Sequence, residues 1–234
     1  LVAPLLDRAV AILHATWYGN TMERKIDVAT WQRKDVFSFF AEQSHPFYMV
    51  SFRQDVTNLC RYARVHGLSF YLSLIYLCCE AINRVEAFAY TIRGNDVYRP
   101  DRRHPSFTDL RTGSECFHIV TLPFTGSLPA FVAAAKRKSA AQTVLIEPRE
   151  KSDDLIYFSC LPWVDLTALT NERDLSAPGA RNDSVPRIAW GKYTEEGDRI
   201  TLGLSIEVNH RLIDGIHIGR FAAELTRLIE ELPR

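Results

Sequence analysis

Hydrophobic and polar positions follow two different periods along the chain from Ile26 onward. Apolar residues recur every three or four positions after Thr30 and again over 56–66, which predicts two amphipathic helices. Thr30 is the expected amino-terminal cap of the first helix, and Gly67 is expected to end the second. The segment 70–85 is apolar on nearly every side, so we expect a long buried helix there.

Period-two patterns fill most of the remaining chain. Residues 47–54 predict one strand, and residues 88–100 predict two strands around a Gly-Asn-Asp turn. Further elements are expected as strands at 106–112, 117–123, 186–193 and 198–209, a strand entering a turn at 155–166, helices at 127–142 and 216–232, a long loop at 167–184 and a turn at 194–198. Strands with helices between them and a hairpin-rich second half predict an α/β (α+β) fold, a two-layer sandwich of a mixed β-sheet covered by helices.

Length and composition favour one domain. The chain has 234 residues, of which 47% are hydrophobic, enough to bury a sizeable core. No linker or repeat interrupts residues 22–234, which we expect to form a single domain. Residues 1–21 are apolar but carry Asp7, Arg8 and His14, which fits neither a signal peptide nor a membrane span. They are expected to be an amino-terminal extension of unknown role, either a helix in an oligomer contact or a dispensable appendage.

Charge and cysteine usage exclude several classes of function. Lys plus Arg number 28 and Asp plus Glu number 28, so the net charge is zero. The chain therefore has no excess of positive charge that would indicate binding to nucleic acid or to an anionic membrane. The five cysteines form no CxxC motif and lie mostly in apolar runs, as expected of reduced structural thiols in the cytoplasm. No histidine and cysteine spacing predicts a zinc site, so no metal is expected.

The sharpest local feature is the segment 209–217, Asn-His-Arg-Leu-Ile-Asp-Gly-Ile-His, between the last long strand and the last helix. A side chain at a rigid strand end can be presented to a pocket. His210 there has a titration range suited to a general base near neutral pH. Taken alone, this pattern is more often that of a structural histidine, with Asp214 as a helix cap or turn residue.

Five further segments accompany this pattern in order: TWQRKDVFSFF, SFTDL, FSCLPWV, GKYTEEGDR and IHIGRF. Together with HRLIDG they resemble the type A chloramphenicol acetyltransferases, which share a superfamily with dihydrolipoamide acyltransferases. The resemblance covers the chain from Ile26 onward. It implies the chloramphenicol acetyltransferase-like fold and an acetyl-CoA-dependent O-acetyltransferase, by default one that inactivates chloramphenicol. Another hydroxylated acceptor, a catalytically weak binding module and transfer to dihydrolipoamide are the alternatives.

The resemblance also implies roles at the reacting centre. His210 matches the histidine that takes the proton from the acceptor hydroxyl as it attacks the thioester. Ser159 matches the serine that hydrogen-bonds the oxyanion. Asp214 and Arg33 match a salt bridge that supports the histidine's loop, and Asn209 stands where the family commonly has another histidine.

Binding roles follow from the same resemblance. Lys192 and Tyr193 match positions along the coenzyme channel, where a cation suits phosphates and an aromatic ring suits the pantetheine arm. The expected acceptor-side positions are Phe40, Tyr48, Phe107, Thr108, Phe117 and Ala189. Phe40 replaces a tyrosine, Ala189 replaces a threonine, and the aromatic positions could equally be core. The family resemblance further implies a homotrimer with active sites at subunit interfaces and a small-molecule hydroxyl acceptor.

Overall fold

Residues 23–111, 113–147 and 152–233 are described by a computed structural model of the chain. The predicted extension at residues 1–21 lies outside these ranges. Within them, no helix is both long enough and apolar enough to cross a bilayer.

The described ranges contain five α-helices, ten strands and two short 3₁₀ helices, Glu86–Ala89 and Ala180–Asn182. The α-helices are α1 Lys34–Ala41, α2 Thr57–Val65, α3 Phe70–Arg84, α4 Leu128–Ala141 and α5 Gly215–Glu230. The strands are β1 Arg24–Ile26, β2 Phe47–Asp55, β3 Thr91–Arg93, β4 Asp96–Arg99, β5 His104–Leu110, β6 Phe117–Thr121, β7 Leu155–Leu161, β8 Arg187–Gly191, β9 Thr194–Glu196 and β10 Arg199–Asn209.

The main sheet has the order β2-β10-β8-β7-β5-β6, and β9 pairs with the start of β10. Strand β7 runs parallel to β5 and to β8, whereas the other pairs are antiparallel. A separate antiparallel sheet has the order β1-β4-β3. The predicted mixed sheet is therefore confirmed.

Strand β10 shows how the sequence separates the two faces of the sheet. Its even-numbered residues from 202 to 208 are Leu, Leu, Ile and Val, and they belong to the core beneath the helices. Its odd-numbered residues include Ser205 and Glu207, whose side chains accept hydrogen bonds from the backbone N–H groups of Leu169 and Asn171. Because strand side chains alternate, helices cover one face and the predicted long loop lies over part of the other, here called the outer face.

Close backbone contact fixes the path of the chain as it enters that loop. A Cβ atom at Gly203 would collide with the carbonyl oxygen of Leu166, and one at Gly191 would collide with the carbonyl oxygen of Val164. Farther along the loop, the Nε of Arg173 lies 2.5 Å from a carboxylate oxygen of Glu207. Each of these two side chains is only 6% exposed, so the ion pair is a buried anchor between loop and sheet.

Replacing Arg173 with alanine is expected to lower the free energy of unfolding by about 3–5 kcal/mol, because the buried Glu207 carboxylate would lose its partner. Urea unfolding followed by circular dichroism measures this loss. The matched control is Arg53→Ala, which removes an ion pair with Asp165 between side chains that are 53% and 41% exposed, worth about 0–1 kcal/mol. Equal losses in the two variants would show that the pair does not anchor the loop.

Two local predictions were wrong, and one short strand was not predicted. Thr30 does not cap α1, because its hydroxyl donates to the carboxylate of Asp27 at 3.0 Å and the helix begins only at Lys34. The predicted turn at 194–198 contains β9, which pairs with the start of β10. The short strand β1 lacks a predicted counterpart, and it is held by pairing with β4.

Candidate active site

His210 is the first residue after β10, and one main-chain hydrogen bond and two aromatic rings hold it in place. Its N–H donates a hydrogen bond of 2.7 Å to the carbonyl oxygen of Pro46. Its imidazole stacks on the ring of Phe40 in α1, with centroids 3.9 Å apart, and lies 4.2 Å from the ring of Tyr48 in β2. The side chain is still 31% exposed, so the ring is held firmly and remains accessible.

Arg33 braces the turn that carries His210. Its guanidinium donates to the carbonyl oxygens of Arg211 at 2.8 Å and His210 at 2.9 Å. A third nitrogen forms an ion pair with the carboxylate of Asp214, the residue that precedes α5. Because one planar guanidinium contacts both ends of the turn, Arg33 fixes where His210 sits relative to the helix.

The charges around His210 favour a neutral imidazole and an ionised carboxylate. Burial lowers the pKa of His210 below its ordinary value of 6.5; nearby Asp214 opposes this shift and Arg33 adds to it. The hydrogen bond from Arg33 lowers the pKa of the Asp214 carboxyl below 3.8. At pH 7 the ring is therefore largely neutral and able to accept a proton, with a carboxylate oxygen 3.4 Å from its Nε2.

Asn209 and Arg211 connect the His210 turn to the end of the long loop and to α1. The buried Asn209 side chain donates to the carbonyl oxygens of Arg181 and Asp183, and its own oxygen accepts the N–H of Arg211. The Arg211 guanidinium lies over the ring of Phe37 and donates to the side chain of Asn182 at 2.6 Å. Asn209 thus links the turn to the end of the long loop. None of these hydrogen bonds involves the imidazole of His210.

Ser159 lies in β7 on the outer face, in the wall of a cavity of about 1240 Å³. Thr108 and Phe117 also line this cavity. Trp163, just after β7, lines it too and is 72% exposed. The Ser159 hydroxyl makes no hydrogen bond within the described part of the chain. A hydroxyl in a cavity wall with no internal partner is free to donate to a bound molecule.

Sheet register separates His210 from Ser159. Ser159 pairs with Ala189, which pairs with Ser205 on β10. His210 is five residues farther along β10, which is roughly 16 Å in the strand direction. Crossing the sheet from β7 through β8 to β10 adds about 10 Å. A single chain therefore does not bring the two side chains to one reacting centre.

The remaining residues predicted to bind the acceptor or the coenzyme do not lie together. Phe107 lines the cavity but is 1% exposed, with its ring against Tyr71 in the helix-covered core. Ala189 is buried in the same row as Ser159 and is not among the cavity residues. Lys192 and Tyr193 are exposed between β8 and β9, beyond the cavity.

Two supporting groups were missed from the sequence. One is the carbonyl oxygen of Pro46, which accepts the N–H of His210 and carries no side-chain signal. The other is His217, whose Nδ1 accepts the N–H of Asp214 at 2.9 Å. The spacing of three residues between Asp214 and His217 is that of a reciprocal cap at a helix start, so this signal was available.

Within residues 23–111, 113–147 and 152–233, no group of three or more His, Cys, Asp or Glu side chains is arranged to hold a metal ion. The side chains of His210, Asp214 and Ser159 can supply proton transfer and hydrogen bonding.

The structure thus combines a mixed sheet covered by helices on one face with a histidine held at a strand end. The family model described as chloramphenicol acetyltransferase matches residues 22–226. The chain therefore belongs to the chloramphenicol acetyltransferase family.

Relatives agree with this assignment, and solved structures agree with the fold. Chloramphenicol acetyltransferase 3 of Escherichia coli is 26% identical over 207 residues, covering 87% of this chain and 95% of the relative. The chloramphenicol acetyltransferase of Clostridium perfringens is also 26% identical, covering 87% and 93%. A solved chloramphenicol acetyltransferase structure superposes with a TM-score of 0.77 at 21% identity, covering 89% of this chain and all of that one.

The fold is shared more widely. The dihydrolipoamide acetyltransferase of Azotobacter vinelandii superposes with a TM-score of 0.61 at 18% identity, covering 84% of this chain and 86% of that one. At this identity the likeness concerns the fold alone.

Proposed function

We propose that the chain is an acetyl-CoA-dependent O-acetyltransferase with His210 as general base and chloramphenicol as the default acceptor. The observation that carries the proposal is the braced, neutral imidazole of His210 at the end of β10. Its backbone is held by Pro46 and Arg33, and burial keeps its pKa below 6.5. A fixed base in its unprotonated form is what abstraction of a hydroxyl proton requires.

The proposed reaction moves one acetyl group and returns one proton. The acceptor oxygen attacks the carbonyl carbon of the thioester while His210 takes the hydroxyl proton. The tetrahedral intermediate then collapses, the carbon–sulfur bond breaks, and the imidazolium returns its proton to the leaving thiolate. The products are an acetyl ester and free coenzyme A, and the Asp214 carboxylate stabilises the transient positive charge on His210.

Ser159 is the proposed donor to the oxyanion of that intermediate. Its hydroxyl lies in the cavity wall with no partner in the described chain, so no internal bond must break before it can donate. A single donor of this kind is typically worth about two to three orders of magnitude in rate.

The separation of His210 from Ser159 supports an active site shared between two copies of the chain, as in the proposed homotrimer. The cavity rim carries exposed apolar side chains, among them Phe117 at 51% and Trp163 at 72% exposure. Patches of this kind mark surfaces that bind other chains or ligands. In the proposed assembly, the His210 turn of one copy faces the Ser159 cavity of the next.

Attraction for the phosphates of coenzyme A must be local because the chain has no net charge. Lys192 is exposed and has no ion-pair partner among the described residues, and Tyr193 beside it offers a ring at 39% exposure. These two residues are the proposed coenzyme contacts. The free cysteines, with Cys78 and Cys79 fully buried, support a reducing compartment, which we propose to be the cytoplasm.

Position 189 favours a second candidate, a binding module of low catalytic power. Ala189 is buried beside Ser159 in the sheet row, so no side-chain hydroxyl from β8 can contribute next to the proposed oxyanion donor. Such a protein would bind the same acceptor and coenzyme but turn them over slowly.

An acceptor screen with acetyl-CoA separates these candidates. Release of the coenzyme thiol is followed with chloramphenicol, with other hydroxylated small molecules and with dihydrolipoamide, for the wild type and for His210→Ala. Thiol release that depends on the acceptor and on His210 is expected, with chloramphenicol among the acceptors. Acceptor binding by calorimetry with no thiol release above the variant would favour the binding module instead.

A further inference from the structure

Two aromatic rings lie against the imidazole of His210. The Phe40 ring is 3.9 Å away and inclined by 23°, and the Tyr48 ring is 4.2 Å away and inclined by 35°. Two rings at such distances and low inclinations cannot occupy the same face without overlapping. Phe40 from α1 and Tyr48 from β2 therefore cover opposite faces of the imidazole.

The hydroxyl of Tyr48 does not explain why a tyrosine lies there. Its oxygen is buried and finds no hydrogen-bond partner in the described part of the chain. A buried hydroxyl without a partner is unfavourable to stability. The neighbour that the side chain does contact closely is His210, through the face of the ring.

An aromatic face attracts a cation more strongly than a neutral group. The imidazole is neutral before it takes the acceptor's proton and positive afterward. Rings on both of its faces therefore stabilise the protonated form and also prevent the ring from turning away from the acceptor. An interaction that strengthens as the proton moves acts on the rate of the chemical step.

We infer that Tyr48 is a positioning residue for His210, which acts through its aromatic ring and not through its hydroxyl. This inference rests on the proposed function, in which His210 is the base. Phe40 provides the equivalent ring on the opposite face. The His210 side chain is still 31% exposed, and with a ring on each face a hydroxyl acceptor is expected to approach in the plane of the imidazole.

The test compares Tyr48→Leu with Tyr48→Phe in acetyl transfer from acetyl-CoA to chloramphenicol, or to the best acceptor of the screen. The leucine variant is expected to lose about tenfold or more in kcat with the KM for acetyl-CoA nearly unchanged. The phenylalanine variant keeps the ring, so its kcat is expected to stay within about twofold of wild type. Its thermal unfolding midpoint is expected to be equal or higher, because an unpaired hydroxyl is gone.

A matched control comes from a second tyrosine beside a histidine. Tyr62 and His66 in and after α2 have ring centroids 4.3 Å apart, and neither belongs to the site. Tyr62→Leu should lower the unfolding midpoint without changing kcat. This control shows how much of any loss in Tyr48→Leu comes from packing alone.

Each outcome has a definite meaning. An unchanged kcat in Tyr48→Leu overturns the inference, and so does a loss in Tyr48→Phe equal to that in Tyr48→Leu, which would assign the effect to the hydroxyl. His210→Ala is measured in parallel. If His210→Ala retains activity, the proposed base is wrong; if it is inactive while Tyr48→Leu is normal, only the role of Tyr48 fails.

Discussion

Replacing His210 with alanine is expected to lower kcat for acetyl transfer by about 10²–10⁴-fold, the usual contribution of a positioned general base. The KM for acetyl-CoA should change little, because the imidazole contacts the acceptor hydroxyl and the coenzyme binds elsewhere in the proposed site. Steady-state thiol release measures both constants. His66→Ala is the matched control, since this histidine follows α2 and lies outside the site.

The pH dependence of the wild type gives the same test a second readout. Activity requires neutral His210, so kcat/KM should rise with pH through the pKa of this group and then level off. Burial lowers that pKa, so the midpoint of the rise should fall below 6.5. A midpoint above 6.5, or an acid limb that survives in His210→Ala, would contradict the assignment of His210 as the base.

Two variants that are inactive alone are expected to restore each other when assembled together. His210→Ala lacks the base and Ser159→Ala lacks the oxyanion donor, and the sheet register puts these side chains too far apart to share a site within one chain. In a cyclic trimer each site takes His210 from one copy and Ser159 from its neighbour. Random assembly from equal amounts leaves about one quarter of all sites intact. Each mixed trimer keeps about one intact site in three, so the isolated mixed assemblies should regain roughly a third of wild-type activity.

Coexpression with two different affinity tags isolates the mixed assemblies, and thiol release measures their activity. The control pairs His210→Ala with the double variant His210→Ala and Ser159→Ala, which leaves every site without a base. Activity that stays at the level of the separate variants would mean that both residues act within one chain, and it would remove the basis for a shared site.

Much of the fold was predictable because its elements carry strong local signals. The helix α3 is apolar on nearly every side and is buried as expected. Gly67 has a φ of 63° and follows α2 as the predicted stop. The elements that were missed are short and polar: β1 is Arg-Lys-Ile, and β9 is Thr-Glu-Glu at the edge of the sheet. Their pairing partners, not their own residues, make them strands.

The candidate site was predictable from the sequence only in part. Local pattern pointed to His210 and Asp214, because a histidine at the end of a strand and an aspartate before a helix have recognisable surroundings. Arg33 lies about 180 residues away and reaches the turn through two main-chain carbonyls, which leave no trace in side-chain pattern. Its assignment therefore rested on family resemblance. The placement of Ser159 depends on strand register across β8, which composition does not encode.

Gly191 and Gly203 make the route of the loop from 162 to 184 a fixed feature while leaving most of its side chains free to change. If this cavity is the proposed acceptor site, substitutions at lining positions such as Trp163 and Glu172 should alter the acceptor range without moving the backbone. Inserting or deleting a residue between 164 and 173 would move either the carbonyls that rest on those two glycines or the Arg173 side chain that pairs with Glu207. New acceptor preferences in this protein should therefore arise by exchange of side chains on a loop of constant length, and libraries built to redirect it should keep that length.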